Sequence, residues 1–393
     1  MELFEANQKM EFYCPTKITF GPHTSLCIAE EVKAFGGTKV QIVTDKILMD
    51  LNIIQPVLKA LDAAEIPYVI FDGVLPDAPA RIMCQALEQF NAEGCDLVIG
   101  FGGGSSLDTA KAVSLMVTNG SNLEEMIGFH RVTKRGVPKI LLSTTTVGGA
   151  DVGFAIALLL DEVSQKHGII VSNYAMPDLV INDPLLTMTM PPNITADTGI
   201  DVLVNGIEAL VSTSANPFSD LYAEKVISLC AQYLPSAFVK GSNRDARYHM
   251  ALAASMSGLA YMSALLGAVH GFSYVIAAAG NLTHGRSLAA VLPHVMRFNL
   301  AQCPEKFSRI AALMGKEIKG LSTVEAARLS VEAVEEILDT LGVSYRLRDY
   351  GIGKQDIPKL AEIAMEETKE IFLPTNPRDY TVGDIEQIFK SAY

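Results

Sequence analysis

Residues 97–111 read Leu97-Val98-Ile99-Gly100-Phe101-Gly102-Gly103-Gly104-Ser105-Ser106-Leu107-Asp108-Thr109-Ala110-Lys111. The opening run is apolar at every position, as a strand covered on both faces in a parallel sheet must be. Gly102-Gly103-Gly104-Ser105 then turns the chain into a helix that carries Lys111 and Asp108, the latter a cofactor-binding candidate with the turn itself. Consecutive glycines let backbone N–H groups approach an anion without Cβ clashes, and the helix N-terminus adds partial positive charge. In an open α/β sheet this turn is where a diphosphate sits. The alternative is a tight strand-to-helix turn with no ligand. The spacing is not the GxGxxG fingerprint, so it does not imply the ordinary Rossmann binding mode.

The same rhythm extends outward. Residues 39–44, 68–71, 139–143 and 179–181 read as short buried strands, and 53–64, 80–92 and 106–116 as amphipathic helices. Strands alternating with helices predict a parallel sheet covered on both faces. After Pro184 the texture changes, and Pro191-Pro192 punctuates it. From residue 194 onward almost every segment has helical spacing, including 221–234, 248–266, 324–341 and 357–370. The expected fold is an α/β N-terminal dinucleotide-binding domain over 1–188 and an all-α C-terminal domain over 189–393, with no internal repeat.

Two further features belong to the strand ends of the first half. Asp45 follows the 39–44 strand, where a carboxylate bonds a ribose 2′-hydroxyl and repels a 2′-phosphate; this favours NAD over NADP. The alternative for Asp45 is a helix N-cap. Thr144 and Thr145 follow the 139–143 strand, with hydroxyls available to a nicotinamide or ribose, or simply to turn and cap chemistry.

Composition narrows the class. The chain has 393 residues, 49% hydrophobic and 19% charged, which fits a well-buried enzyme of two domains. Its net charge of −13 disfavours nucleic acid and anionic membranes as partners. No stretch reads as a membrane span, and Met1-Glu2-Leu3-Phe4-Glu5 lacks the basic start and apolar run of a signal peptide. The six cysteines include no CxxC pair. They read as reduced thiols of a cytoplasmic protein.

In the helical half, Asp201 and Asn205 lie four residues apart, on one helix face. His270 and His284 follow in a Gly- and Ala-rich stretch. One carboxylate, one amide and two imidazoles can meet around a divalent cation.

Taken together, these pieces resemble the iron-containing (group III) alcohol dehydrogenase family over nearly the whole chain. Phe20-Gly21-Pro22 resembles its early turn, and Gly102 to Lys111 its diphosphate loop. Lys166-His167-Gly168 is similar to its segment near the cofactor, which places Lys166 among the cofactor-binding candidates. Further matches are 177–184, Gly199-Ile200-Asp201-Val202-Leu203, Ile207-Glu208-Ala209, His270, His284-Gly285, 292–299 and Asn376-Pro377-Arg378. The resemblance implies a dehydroquinate synthase-like fold with a metal-bearing cleft between its domains. It also implies hydride transfer between NAD(P) and a small alcohol or aldehyde, and a homodimer or higher homo-oligomer. By resemblance, Asp201, His270 and His284 are three of four ligands to Fe2+ or another divalent cation.

Three departures stand out. Asn205 replaces the family's usual histidine ligand, Tyr274 replaces a second histidine four residues after His270, and the loop 144–151 differs in sequence. A site of Asp201, Asn205, His270 and His284 offers two nitrogens and two oxygens. It should hold Fe2+ or Zn2+ more weakly, or shift toward Mn2+ or Mg2+. The competing reading is a metal-independent reductase of the maleylacetate reductase type, in which Asn205, His270, Tyr274 and His284 bond the substrate oxygen directly. A third is an inactive nucleotide-binding homologue. Tyr274 is a candidate for the proton relay in place of the missing imidazole, with His270 beside it. A dehydroquinate-type lyase needs basic residues to clamp its substrate, and 256–283 contains no Lys or Arg. Met256, Leu259, Met262, Leu265, Leu266 and Val269 suggest an apolar approach suited to small aliphatic aldehydes, though they equally make a helix core.

Overall fold

The computed structural model describes residues 10–161 and 166–393, apart from the side chain of Lys166. The chain forms two compact units. One is Cys14–Met190, and the other is Pro191–Tyr393 joined by residues 10–13. The sequence reading divides the chain at 188/189 and assigns residues 10–13 to the α/β half instead.

In the first unit, strands β1 (Lys17–Phe20), β2 (Val40–Val43), β3 (Tyr68–Phe71), β4 (Leu97–Gly102), β6 (Lys139–Ser143) and β9 (Leu179–Asn182) form a six-stranded sheet in the order β1-β9-β6-β4-β2-β3. Every pairing is parallel. Side chains alternate between the faces. In β4, Leu97, Ile99 and Phe101 join one buried cluster with Ile42, Ile140 and Ile181, while Val98 faces a second with Leu107, Ala110 and Leu141. A strand with a core on each side has no polar face to show, which is why these runs are uniformly apolar.

Strand order creates the functional edge. From β2 the chain passes to β3 on one side, then returns across β2 to β4 and continues to β6. The crevice at the carboxyl ends of β2 and β4 is thus a topological switch point, the usual ligand site of open α/β sheets. Val43 lies in register with Gly100, and Gly102 with Ser143. Asp45, the glycine turn and Thr144 therefore stand at the ends of three adjacent strands.

Four strands escape the sequence reading. β1 was not anticipated; it pairs with β9 at the sheet's edge. β7 (Ala155–Asp161) and β8 (Lys166–Val171) pair antiparallel, and β5 (Gly128–Phe129) adds to β8 in a separate three-stranded sheet. Ala155 to Leu160 is apolar without alternation, so its period does not separate strand from helix.

Asp108 and Lys111 explain how this small sheet is held. Both lie inside the helix Gly104–Asn119, and Lys111 is fully buried. Lys111 Nζ donates to Asp108 Oδ1 at 3.2 Å and to the Ala155 carbonyl at 3.0 Å. Asp108 Oδ2 accepts from the Ala157 amide at 3.0 Å. The pair staples β7 to the helix. Burial pushes the Asp108 carboxyl above its ordinary pKa, with Lys111 opposing.

The second unit is helical throughout its described residues. Its helices are Pro192–Val211, Pro217–Val239, Arg244–Ala264, Ala268–Gly280, His284–Asn299, Pro304–Leu313, Thr323–Thr340, Ile357–Thr368 and Val382–Ser391, with short 3-10 turns between. The expected helix over 248–266 ends earlier, at Ala264, where Leu265 takes a left-handed φ of 61°. The next helix starts at Ala268, bent by 111° from the one before. Among the described residues no single helix is long and apolar enough to cross a membrane.

Removing one half of a buried ion pair strands the other half. Asp108→Ala is expected to cost about 3–5 kcal/mol, read as a lower urea midpoint, and Asp108→Ala with Lys111→Met to recover most of it.

Candidate functional site

The sheet edge carries the candidate anion site. Gly102 has φ +155°, and a Cβ there would stand 2.5 Å from Ser106 Oγ. Gly103 is the N-cap of the Gly104–Asn119 helix and supplies no side-chain cap, so no side chain of its own occupies the first-turn amides. A Cβ placed at Gly104 would meet nothing within 4 Å, so the space in front of that turn is open. Ser105 lies half-buried in the same turn. Beside it, the Thr144 amide donates to the Gly102 carbonyl at 3.0 Å, and Thr144 Oγ1 is buried without a hydrogen-bond partner among the described residues. Thr145 is half-buried, with its Oγ1 3.5 Å from where a Gly103 Cβ would stand.

Asp45 caps the short helix Lys46–Asp50, with Oδ1 accepting from the Leu48 amide at 3.0 Å. One carboxylate oxygen is spent on the cap. Asp108 stands apart from the anion site's chemistry: both its oxygens are engaged with Lys111 and Ala157. Lys166 begins β8, but its side chain lies outside the described residues.

The helical unit holds the other candidate residues. The Pro192–Val211 helix is buried almost all round, and such a helix is normally apolar on every face. This one carries Asp197, Asp201, Asn205 and Glu208, spaced so that all four share one stripe. Each finds polar partners. Asp197 accepts from Arg286 Nε at 2.6 Å and from Thr283 Oγ1 at 2.8 Å. Asp201 Oδ1 lies 3.6 Å from His270 Nε2 and accepts from Asn205 Nδ2 at 3.3 Å. Glu208 accepts from His270 Nδ1 at 2.6 Å and from the Val269 amide at 2.7 Å.

These bonds bring the two histidines to the stripe. Asp197 grips the residues on either side of His284, and Gly285 packs so tightly on the Asp197 backbone that a side chain there would clash. The rings of His270 and His284 lie 5.5 Å apart, centre to centre. One ligand atom from each of Asp201, His270 and His284 lies within 4.8 Å of the others. Tyr274, one turn beyond His270, stacks on His284 at 5.6 Å and lies beside Phe372 at 6.1 Å.

The donor set fits a divalent cation. His270 uses Nδ1 for Glu208, which leaves Nε2 for an ion next to Asp201; metal-bound histidines commonly have this carboxylate behind them. The charge also fits. Burial opposes a proton on His270, but the neighbouring Asp201 and Glu208 carboxylates outweigh it and push the imidazole pKa up to about 9. Burial likewise opposes the Asp201 anion, yet His270, His284 and Asn205 hold its pKa below the ordinary value. The corner thus demands positive charge, which a proton or a metal ion can supply. Asn205 is 1% exposed and turns its amide nitrogen, which has no lone pair for a metal, toward Asp201.

Asp197, Glu208, Thr283 and Arg286 were missed by the sequence reading. The available signal was polar residues recurring on one face of an otherwise apolar helix.

Comparison with known proteins agrees with both units. Residues 15–184 match the family described as iron-containing alcohol dehydrogenase, and residues 195–393 the C-terminal part of the Fe-containing alcohol dehydrogenase family. The chain is 35% identical to the 1,3-propanediol dehydrogenase of Citrobacter freundii over 385 residues, 98% of each protein. It is 33% identical to the NAD-dependent methanol dehydrogenase of Bacillus methanolicus over 381 residues, 97% of this chain and 99% of the relative. A crystal structure of a 1,3-propanediol oxidoreductase superposes with a TM-score of 0.94 at 34% identity, covering 98% of this chain and all of the other. Two family matches spanning most of the sequence, relatives matched end to end and a shared fold lead to one conclusion: the chain belongs to the iron-containing alcohol dehydrogenase family and is an alcohol oxidoreductase.

Proposed function

We propose that this protein is a metal-dependent, NAD-linked dehydrogenase that interconverts short-chain alcohols and aldehydes. The convergence of Asp201, His270 and His284 to within 4.8 Å carries the metal assignment. Three protein ligands leave coordination positions open, as a catalytic site requires. When bound, the nicotinamide exchanges the hydride and the divalent ion polarises the substrate oxygen.

This chain's own residues do the rest. Backbone amides at Gly104 and Ser105 bind the diphosphate, and Thr144 and Thr145 line the same edge. The Asp45 oxygen not used by the cap accepts from the ribose 2′-hydroxyl, where a 2′-phosphate would be repelled; this favours NAD. Asp201, His270 and His284 hold the ion. Asn205 serves the corner as a donor to Asp201 through Nδ2, which leaves Oδ1 as the one atom it can offer the ion. Tyr274, stacked on His284, holds the proton exchanged with the substrate oxygen. Met256, Met262 and Leu266 lie partly buried against the helical core and form the apolar approach. Relatives named for 1,3-propanediol and methanol support small, uncharged substrates.

Asn205 also favours a second reading, because a hydrogen-bonding corner can stabilise an alkoxide without a metal. Elemental analysis of anaerobically purified protein, paired with NADH-linked aldehyde reduction before and after chelation, separates the two. The expected result is a bound divalent ion and activity lost on chelation, then restored by Fe2+, Zn2+ or Mn2+. Full activity in metal-free protein would establish the metal-independent reaction instead. Tyr274→Phe should slow turnover at least roughly tenfold, the lower range of general acid–base effects, while NADH affinity stays unchanged. Asp45→Ala should narrow the preference for NADH over NADPH, measured as the ratio of kcat/KM values; an unchanged ratio would leave Asp45 as a cap alone.

A further inference from the structure

We infer that Glu208 is a positioning residue that selects which nitrogen of His270 faces the ion and fixes the start of the helix that carries it. The inference rests on the metal-dependent reading above.

The helix Ala268–Gly280 begins immediately after a sharp break. Its first N–H groups have no intrahelical acceptor, and Gly267, its N-cap, has no side chain to offer. Acceptors come from distant segments instead. Asn376 Oδ1 accepts from the Ala268 amide at 3.3 Å, and Glu208 Oε1 from the Val269 amide at 2.7 Å. A Cβ at Gly267 would stand 3.1 Å from Asn376 Oδ1 and 3.2 Å from Glu208 Oε1, so a side chain would crowd both. Asn376 is itself fixed by reciprocal bonds with Asn299, each 2.9 Å.

Glu208 does a second task with its other oxygen. Oε2 accepts from His270 Nδ1 at 2.6 Å, which leaves Nε2 as the nitrogen toward Asp201. The carboxylate is 4% exposed, so little water competes for it. One buried group thereby sets both the position of the helix start and the rotation of the ring. The task needs two acceptors on one short fork, which among side chains only a carboxylate provides. Glutamine has the same shape but one acceptor, so either Val269 or His270 loses its partner. Aspartate has two acceptors but is one methylene too short to reach both.

The test is titration of metal-free protein with Zn2+ against a competing chelator, with NADH binding and circular dichroism as controls. Glu208→Gln should stay folded, bind NADH as wild type does, and bind Zn2+ roughly 10–100-fold more weakly, the usual effect of losing such an outer partner. Glu208→Asp should weaken Zn2+ binding as well, and it is the variant read if Glu208→Gln fails to fold. Wild-type Zn2+ affinity in either folded variant would overturn the inference. Failure of the wild-type protein itself to bind Zn2+, Fe2+ or Mn2+ would instead overturn the metal-dependent reading.

Discussion

Buried carboxylates govern the helical unit. An ionised carboxylate taken out of water costs several kcal/mol unless hydrogen bonds and opposite charge replace its hydration. The Pro192–Val211 helix carries two such groups, Asp197 and Glu208, with the half-buried Asp201 between them, along one stripe among apolar neighbours. Apart from Asn205 on the same helix, their partners described above come from two segments: residues 283–286 and the start of the Ala268–Gly280 helix. The stripe can be satisfied only if both segments dock in one register, and that register places His270 and His284 beside Asp201. A stripe of leucines would pack as readily, but it would tolerate sliding by a turn. The polar stripe thus exchanges some stability for a single defined arrangement.

The α/β unit reaches definition by another route. Its candidate binding groups are mostly backbone amides, and the order of the strands brings them together. Asp45, Gly102 and Thr144 stand side by side because β2, β4 and β6 are neighbours, although β3 intervenes in the chain. The charged residues nearest this edge in sequence, Asp108 and Lys111, bond to each other and to β7.

This difference explains what could be read from the sequence. The parallel strands were legible because burial on both faces leaves a continuous apolar run, and the glycine turn because only glycine suits it. Asp201 and Asn205 were legible from local helical spacing, and the histidines from their resemblance to a known pattern. Glu208 and Asp197 were not, since their partners lie 62 and 89 residues away and nothing local marks the pairing. The sequence position of Asp108 beside the glycines is compatible with a cofactor contact or a frame role, and its bond to the Ala157 amide is a contact that nothing local in the sequence marks. The β7–β8 hairpin was hidden for a related reason, being fixed by that staple more than by its own pattern.

The departures at Asn205 and Tyr274 acquire a common sense against this frame. The outer partners of the corner, Glu208, Asp197 and Arg286, hold the His270 and His284 segments by bonds that do not involve position 205. An amide there removes an imidazole nitrogen and also donates a hydrogen bond to Asp201, drawing electron density from the carboxylate that would bind the ion. Losing an imidazole nitrogen lowers the affinity such a corner can have for borderline ions. Tyr274 in turn supplies a hydroxyl where an imidazole would otherwise stand, stacked on the outer histidine. Both residues change the polar groups the corner presents, while the hydrogen bonds that aim His270 and His284 do not depend on them.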